Sequence, residues 1–330
     1  MQVSVLGGGS WGTTMASLVA ARHPTLLWAR DPQVAEEVRT QRSNEAYLPG
    51  FRLNSKLVAT ADLEEAARHA ELLIVGVPTS AVRSTLESAA EWIHPWIPIV
   101  SLSKGLEQKS LLRMTQVIAD VAPGRPVAAL TGPNIAREII AGQAAAAVIA
   151  TEDLAVGAAI QAVLTRGLFR VYLNHDVVGC ELAGALKNVV AIAAGIAQGL
   201  GVGDNTRAAV MTRGLAEITR LGVAMGGEAI TFAGLAGMGD LITTCVSPHS
   251  RNRHVGEQLG RGRKLVDILG EMKMIAEGVK TATTVRNLAK RHDVPMPVCE
   301  EIYKVVNGRT SAARAYSGLR LRPGHENDPG

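Results

Sequence analysis

The 330-residue sequence has few aromatic side chains, 3% of the total, and only three cysteines. Lysine and arginine number 34 against 30 aspartates and glutamates, a net charge of +4. No basic block is interleaved with aromatics, so the charge pattern does not favour nucleic-acid binding. Cys180, Cys245 and Cys299 are odd in number and widely spaced, which fits neither a disulfide framework nor a CxxC metal pair. They predict a reducing compartment, the cytoplasm.

Long uninterrupted apolar runs are scarce as well. Lys187, Asn188 and Gln198 interrupt one of the most apolar segments, so we expect no membrane span of roughly 20 residues. The opening MQVSVLGGG has neither the basic segment nor the cleavage pattern of an export signal. No histidine cluster has the spacing of a metal site, and we expect no metal.

Short β-rich runs alternate with helical patterns through the first half: VSVLG, TLLWA, LLIVGV, IPIVSLS, PVAALTG and AAAVIAT. This alternation predicts an α/β fold with a doubly wound parallel sheet. From about Leu173 the β-rich runs stop, and Ala/Leu/Gly-rich periodic segments predict an all-helical domain. We place the sheet domain at 1–175, the helical domain at 176–312 and a flexible tail at 313–330.

The first β-run leads directly into GGGSWGTTMASLVA, where Gly7, Gly9 and Gly12 have GxGxxG spacing. The first glycine permits a tight turn, the second lets backbone approach a pyrophosphate, and the third lets the helix pack on the strand. The helix N-terminus then offers free N–H groups to phosphates. This context predicts a Rossmann-type dinucleotide site, and the alternative is a plain strand-to-helix turn.

The second β-run ends at WARDP, with Arg30 beside Asp31. A guanidinium suits the extra phosphate of NADP, whereas a carboxylate suits the ribose of NAD. We expect NADPH to be preferred through Arg30, with NAD possible. A solvated turn residue is the alternative for Arg30.

Two later strand ends carry further candidates, because ligands bind beyond the carboxyl ends of strands in such sheets. Lys104 follows an apolar run and could meet a phosphate or a carboxylate, although lysines in this position are usually solvated. The turn Gly132-Pro133-Asn134 offers backbone N–H groups. Asn134 is either a ligand or the cap of the next helix.

The stretch ELAGALKNVVAIAAG places Lys187 in an apolar helical run with no carboxylate three or four positions away. Its ammonium therefore needs a partner from elsewhere in the fold, or burial lowers its pKa. Asp240, in GLAGMGDLITTC, is the candidate partner. Such a lysine could protonate a carbonyl oxygen as hydride reaches the carbon. The alternatives are a snorkelling lysine and an aspartate that caps a helix.

Ser250, Arg251 and Asn252 supply a hydroxyl, a guanidinium and an amide in three consecutive residues. This donor set suits a phosphate dianion. The alternative makes Arg251 and Arg253 surface charges.

Together these segments resemble the bacterial NAD(P)-dependent glycerol-3-phosphate dehydrogenases, from residue 1 to about 310. GALKNVVAIAAG and FAGLAGMGDL are the specific parts of the match, since the glycine turn occurs in many unrelated enzymes. The resemblance implies reversible reduction of dihydroxyacetone phosphate to sn-glycerol 3-phosphate for phospholipid synthesis. It also implies an N-terminal Rossmann domain, a helical C-terminal domain and a homodimer.

The resemblance further implies roles for individual residues, with Lys187 as the acid/base beside Asp240. Besides the three glycines, the cofactor contacts would be Ser10, Trp11, Arg30, Lys104, Ala136, Arg251, Ile275 and Glu277. The substrate contacts would be Lys104, Gly132, Asn134, Lys187, Asp240, Ser250, Arg251 and Asn252. The family usually has serine and phenylalanine where this chain has Asn134 and Ile135, and Cys180 replaces a small aliphatic residue.

Three other classes compete with this interpretation. A β-hydroxy acid dehydrogenase would bind a carboxylate where we place a phosphate. A non-catalytic nicotinamide-binding sensor would leave Lys187 and Asp240 unexplained. A methyltransferase also uses a glycine-rich first turn but does not call for this helical second half.

Overall fold

The computed structural model of the chain describes residues 1–272 and 274–318. It divides into two compact units. The first contains Met1–Glu107 and Leu112–Val177, and the second contains Gln108–Leu111 and the chain from Val178 onward.

An eight-stranded sheet forms the centre of the first unit, in the order β3-β2-β1-β4-β5-β6-β7-β8. All neighbouring pairs are parallel except β6 and β7. The strands are β1 (Val3–Leu6), β2 (Thr25–Trp28), β3 (Val58–Thr60), β4 (Leu72–Val75), β5 (Ile99–Ser101), β6 (Val127–Thr131), β7 (Ala145–Ala150) and β8 (Phe169–Asn174).

Helices cover both faces of this sheet. Val5 belongs to one buried apolar cluster, with Met15 and Ile160, and the next residue, Leu6, belongs to the other, with Leu86 and Ile118. Successive strand residues point to opposite faces, so each face has its own core. The helices are α1 (Ser10–Val19), α2 (Pro32–Gln41), α3 (Leu63–His69), α4 (Val82–Ala89), α5 (Met114–Val121), α6 (Ala136–Ile140) and α7 (Leu154–Leu164), with a 3₁₀ turn at Thr79–Ala81.

The predicted doubly wound Rossmann-type sheet is confirmed, with three differences. Two strands were not predicted, β3 and β8. The first has only three residues, and the second alternates buried Phe169 and Val171 with exposed Arg170 and Tyr172 at the edge of the sheet. The third difference is that β7 runs antiparallel to β6. A run of apolar residues does not reveal the direction of its strand.

The second unit is helical in the part that the structure describes, as predicted. Its helices are α8 (Val177–Gly199), α9 (Asp204–Ala224), α10 (Ala229–Ala233), α11 (Asp240–Val246), α12 (Arg251–Gly260), α13 (Leu265–Gly270), α14 (Glu277–Arg291), α15 (Pro297–Val306) and α16 (Ala312–Gly318), with a π-helical turn at Leu235–Gly239.

The central helix of this unit, α8, is long and apolar enough to cross a membrane by length and composition, despite the polar residues that argued against such a span. Inside the protein, 94% of its apolar window is buried. Packing among the other helices accounts for its apolar composition.

The predicted tail at 313–330 begins too early. Residues up to Gly318 form α16, because Ala312 and Ala315 are buried and the Ser311 hydroxyl accepts a hydrogen bond from the Arg314 N–H. The rest of that prediction, residues 319–330, lies outside the described residues.

Candidate active site

The three glycines after β1 have three different surroundings. Gly7 has φ of +128°, and a Cβ there would lie 2.7 Å from the Gly76 carbonyl carbon. A Cβ on Gly12 would lie 2.1 Å from the Gly7 oxygen, so only glycine lets α1 approach β1 this closely. A Cβ on Gly9 would meet nothing within 4 Å. Gly9 is therefore the place where backbone is open to a ligand, at the N-terminus of α1.

Trp11, in the first turn of α1, has a buried polar atom. Its indole Nε1 is buried without a hydrogen bond among the described residues, and its ring packs edge-on against Phe169 at 6.1 Å. A buried N–H group is usually satisfied. The open Gly9 and this N–H fit a bound dinucleotide.

Arg30 and Asp31 separate into two roles. The Asp31 carboxylate caps α2 by accepting the Gln33 N–H at 2.9 Å. Arg30 is exposed, and within the described chain its guanidinium forms no hydrogen bond or ion pair. Thus Arg30 is uncommitted beside the second strand, whereas one oxygen of the exposed Asp31 carboxylate is used by the helix cap.

At the ends of β5 and β6, Lys104 Nζ donates to the Gly132 carbonyl oxygen at 2.7 Å. Lys104 and Gly132, which the sequence indicated at two separate strand ends, are therefore in contact. The Asn134 amide has both polar atoms buried with no partner in residues 1–272 and 274–318. The alternative that Asn134 caps a helix is wrong, because α6 has Ile135 at its N-cap, without a side-chain cap. The adjacent Thr131 hydroxyl is also buried and unpaired among the described residues, a signal that the sequence did not give.

In the second unit, Lys187 of α8 forms a buried ion pair with Asp240 of α11. Their exposed fractions are only 4% and 2%. Lys187 Nζ also donates to Thr244 Oγ1 at 2.7 Å, and this hydroxyl donates to the Asp240 carbonyl at 2.6 Å. The predicted partner of Lys187 is therefore correct, and the snorkelling alternative is wrong.

Thr244 was missed by the sequence reasoning. It lies four residues after Asp240, on the same helical face, which is the signal that could have found it. The neighbouring thiol of Cys245 is not a competing acid. Burial raises its pKa to about 12, while Lys187 lowers and Asp240 raises it by smaller amounts.

Glycines bring α8 and α12 into backbone contact. A Cβ on Gly195 would lie 2.1 Å from the Arg253 carbonyl oxygen, and one on Gly256 would lie 2.1 Å from the Ile192 oxygen. This packing holds α12 against the C-terminal half of α8.

Asn188, next to the lysine and also missed, accepts from Asn252 Nδ2 at 3.0 Å. Asn252 Oδ1 accepts the Gly278 N–H at 2.9 Å. The Asn252 side chain thus links α8, α12 and α14, and one of its amide N–H groups is used inside the protein.

The other members of the predicted phosphate set lie at the start of α12. Ser250 caps this helix by accepting the Arg253 N–H at 3.2 Å. Arg251 is exposed and donates to the Ile275 carbonyl at 2.8 Å, two residues before Glu277 opens α14. Arg253 is not a surface charge, because it is buried and donates to the Ser247 carbonyl at 2.9 Å.

The Rossmann-type turn and the buried lysine–aspartate pair define a nicotinamide-dependent dehydrogenase. The N-terminal family model of the NAD-dependent glycerol-3-phosphate dehydrogenases matches residues 2–157, and the C-terminal model matches residues 176–317. The chain belongs to this family and is an oxidoreductase.

The similar proteins are named glycerol-3-phosphate dehydrogenases, and the similarity covers nearly their full length. Glycerol-3-phosphate dehydrogenase [NAD(P)+] 2 of Sphingopyxis alaskensis is 54% identical, covering 100% of this chain and 99% of that protein. Glycerol-3-phosphate dehydrogenase [NAD(P)+] of Mycobacterium avium is 49% identical, covering 98% of this chain and 96% of that protein. The crystal structure of glycerol-3-phosphate dehydrogenase from Coxiella burnetii has a TM-score of 0.93 at 33% identity. The match covers 97% of this chain and 98% of that one. These similarities favour the dehydrogenase over the sensor and the methyltransferase.

Proposed function

We propose that the chain reduces dihydroxyacetone phosphate to sn-glycerol 3-phosphate reversibly with NAD(P)H, and that Lys187 is the proton donor. The buried Lys187–Asp240 pair is the observation that carries this proposal. A charged pair this deep in an apolar helical unit has a high desolvation penalty, which supports a role other than stability.

Asp240 and Thr244 hold the reactive ammonium. The carboxylate compensates the charge of Lys187, and the Thr244 hydroxyl, itself anchored on the Asp240 carbonyl, accepts a hydrogen bond from the ammonium. Lys187 gives a proton to the carbonyl oxygen of the substrate during reduction. In the reverse direction the neutral amine removes that proton from the alcohol.

Residues of the first unit hold the cofactor. The free N–H groups at the start of α1 bind the pyrophosphate beside Gly9, with Ser10 and Trp11 close by in sequence. When bound, the reduced nicotinamide supplies the hydride. NADPH is preferred over NADH, because Arg30 offers a guanidinium to the additional phosphate while Asp31 caps α2.

The remaining contacts are those that the family resemblance implies. Ala136, Ile275 and Glu277 contact the cofactor, together with Lys104 and Arg251. The resemblance assigns substrate contacts to Lys104, Gly132, Asn134, Ser250, Arg251 and Asn252. The unpaired amide of Asn134 supports this assignment, because a substrate oxygen would satisfy it.

The product is a precursor of glycerophospholipids, and we place the enzyme in the cytoplasm as a homodimer that needs no metal. Among the described residues no group of three or more metal-ligating side chains is found. The absence of a metal remains a prediction, as does the dimer.

The test is oxidation of NADPH by the purified chain with dihydroxyacetone phosphate, with unphosphorylated dihydroxyacetone as the matched control. We expect rapid turnover with the phosphate ester only. A parallel assay measures oxidation of β-hydroxy acids with NADP. Saturable turnover of a hydroxy acid with none of the phosphorylated triose would select the β-hydroxy acid dehydrogenase instead.

A further inference from the structure

A cavity of about 630 Å³ that is open to solvent lies on the surface of the first unit, beside α7 and the edge strand β8. Its polar lining comes from Arg22, Gln161, Thr165, Arg170 and Tyr172. None of these residues belongs to the predicted cofactor or substrate set. The cavity therefore needs an explanation that the proposed function does not supply.

The charge of this cavity has one sign. Arg22 and Arg170 are both exposed, and in residues 1–272 and 274–318 neither guanidinium forms a hydrogen bond or an ion pair. Within the same described ranges no carboxylate lines the cavity. Two other exposed arginines of this unit are compensated, since Arg39 pairs with Glu36 and Arg68 pairs with Glu64.

The charge of Arg22 makes a minor contribution at the next residue in the chain. Burial lowers the pKa of His23, and the positive charges of the amino terminus and of Arg22 lower it further. Two like charges that share one cavity repel each other, and an anion between them would remove that repulsion.

The wall that carries Arg170 is fixed. Gln161 Nε2 donates to the Val171 carbonyl at 2.7 Å and so ties α7 to β8 next to Arg170. The Tyr172 ring, 53% exposed, adds an aromatic surface. Guanidinium groups bind carboxylate and phosphate oxygens in a bidentate manner, and the charge of a phosphate group, close to two, matches the two arginines that line the cavity.

We propose that this cavity binds a phosphate-bearing anion between Arg22 and Arg170. Two sources offer this chemistry, a free phosphorylated molecule and the headgroup of an anionic lipid. The proposal stands independently of the proposed function, because it uses none of the same residues.

The experiment uses one probe for each source. Calorimetric titration with inorganic pyrophosphate measures free-anion binding, and co-sedimentation compares phosphatidylglycerol-containing vesicles with phosphatidylcholine vesicles. The test variant is Arg22→Gln/Arg170→Gln. Arg39→Gln/Arg68→Gln is the control with the same change in net charge. Saturating NADPH in every titration blocks the pyrophosphate site proposed beside Gly9, and Arg251→Gln tests for binding at the proposed substrate contacts.

We expect affinity for pyrophosphate to fall about tenfold or more for each arginine removed, or vesicle binding to fall about fivefold for each. Arg39→Gln/Arg68→Gln and Arg251→Gln should retain the binding that Arg22→Gln/Arg170→Gln loses. Binding of pyrophosphate alone would identify a free ligand, and binding of anionic vesicles alone a lipid headgroup.

Three results would overturn the proposal. They are binding of neither probe, equal binding by the wild type and Arg22→Gln/Arg170→Gln, and an equal loss in Arg39→Gln/Arg68→Gln. Both arginines are exposed, so thermal unfolding should show that the test variant folds like the wild type.

Discussion

The Lys187–Asp240 pair allows a test in which stability and turnover respond differently. Both side chains are almost completely buried. Lys187→Met leaves the Asp240 carboxylate without its cation, which should lower the free energy of unfolding by about 3–5 kcal/mol. The double variant Lys187→Met/Asp240→Leu removes both charges. Replacement of a buried pair by apolar residues of similar volume is often neutral or stabilising, so we expect this variant to regain wild-type stability.

Turnover should follow the proton donor and not the stability. Loss of a general acid lowers kcat by about 10²–10⁴-fold, and this loss should be the same in Lys187→Met and in Lys187→Met/Asp240→Leu. Cofactor affinity should stay near the wild-type value in both, because the glycine turn lies in the first unit. A stable, cofactor-binding and inactive double variant separates the chemical role of the pair from its structural role.

Three measurements provide the comparison: urea unfolding by circular dichroism, cofactor binding by fluorescence, and kcat from the absorbance of the reduced cofactor. Lys290→Met, at an exposed lysine of α14, is the matched control and should change stability by less than about 0.5 kcal/mol. Near-normal turnover in Lys187→Met would refute Lys187 as the acid. A double variant as unstable as Lys187→Met would refute the account of the paired charges.

Three further predictions concern the cofactor, pH and helix packing. Arg30→Ala should raise KM for NADPH about tenfold and leave KM for NADH nearly unchanged, because only NADPH has the extra phosphate; an equal rise in both would contradict the assignment. Burial raises the pKa of Glu217 from 4.5 to about 7. The folded chain therefore holds this proton more tightly than the unfolded chain, and about 3 kcal/mol of stability, fully present below pH 4.5, is lost as the pH rises to about 7. Glu217→Gln should flatten the urea-derived stability curve over this interval, and an unchanged slope would argue against the prediction. Gly256→Ala should lower the melting temperature and raise KM for dihydroxyacetone phosphate, since its Cβ would meet the α8 backbone; Gly203→Ala, with open space around it, is the control, and equal effects would contradict the packing argument.

Much of the sheet could be predicted from the sequence because its central strands are short apolar runs between helical patterns. β1, β2 and β4 to β7 all coincide with such runs. β8 was not predicted, because Arg170 and Tyr172 are exposed on this edge strand and interrupt its apolar residues. The direction of β7 depends on which side the chain re-enters the sheet, and residue types do not encode that.

The candidate site, too, could be predicted from the sequence only in part. The roles of the glycines in the turn could be predicted from their spacing. The backbone that each of them must approach lies in the same turn or on a neighbouring strand. The two roles of Arg30 and Asp31 remained open in the sequence. The tertiary structure adds that one Asp31 oxygen caps α2 while Arg30 is exposed.

The sequence by itself determined that the Lys187 ammonium lies in an apolar helical run with no carboxylate three or four positions away, where it needs a partner, a lowered pKa or a path to solvent. It also offered Asp240, on a glycine-rich turn, as the candidate partner. Tertiary structure decided that the two meet, that Thr244 joins them, and that Asn252 is tied to Asn188 and Gly278. The physical reason is distance along the chain. Lys187 and Asp240 are 53 residues apart, and only the packing of α8 against its neighbours brings such remote side chains into hydrogen-bonding range.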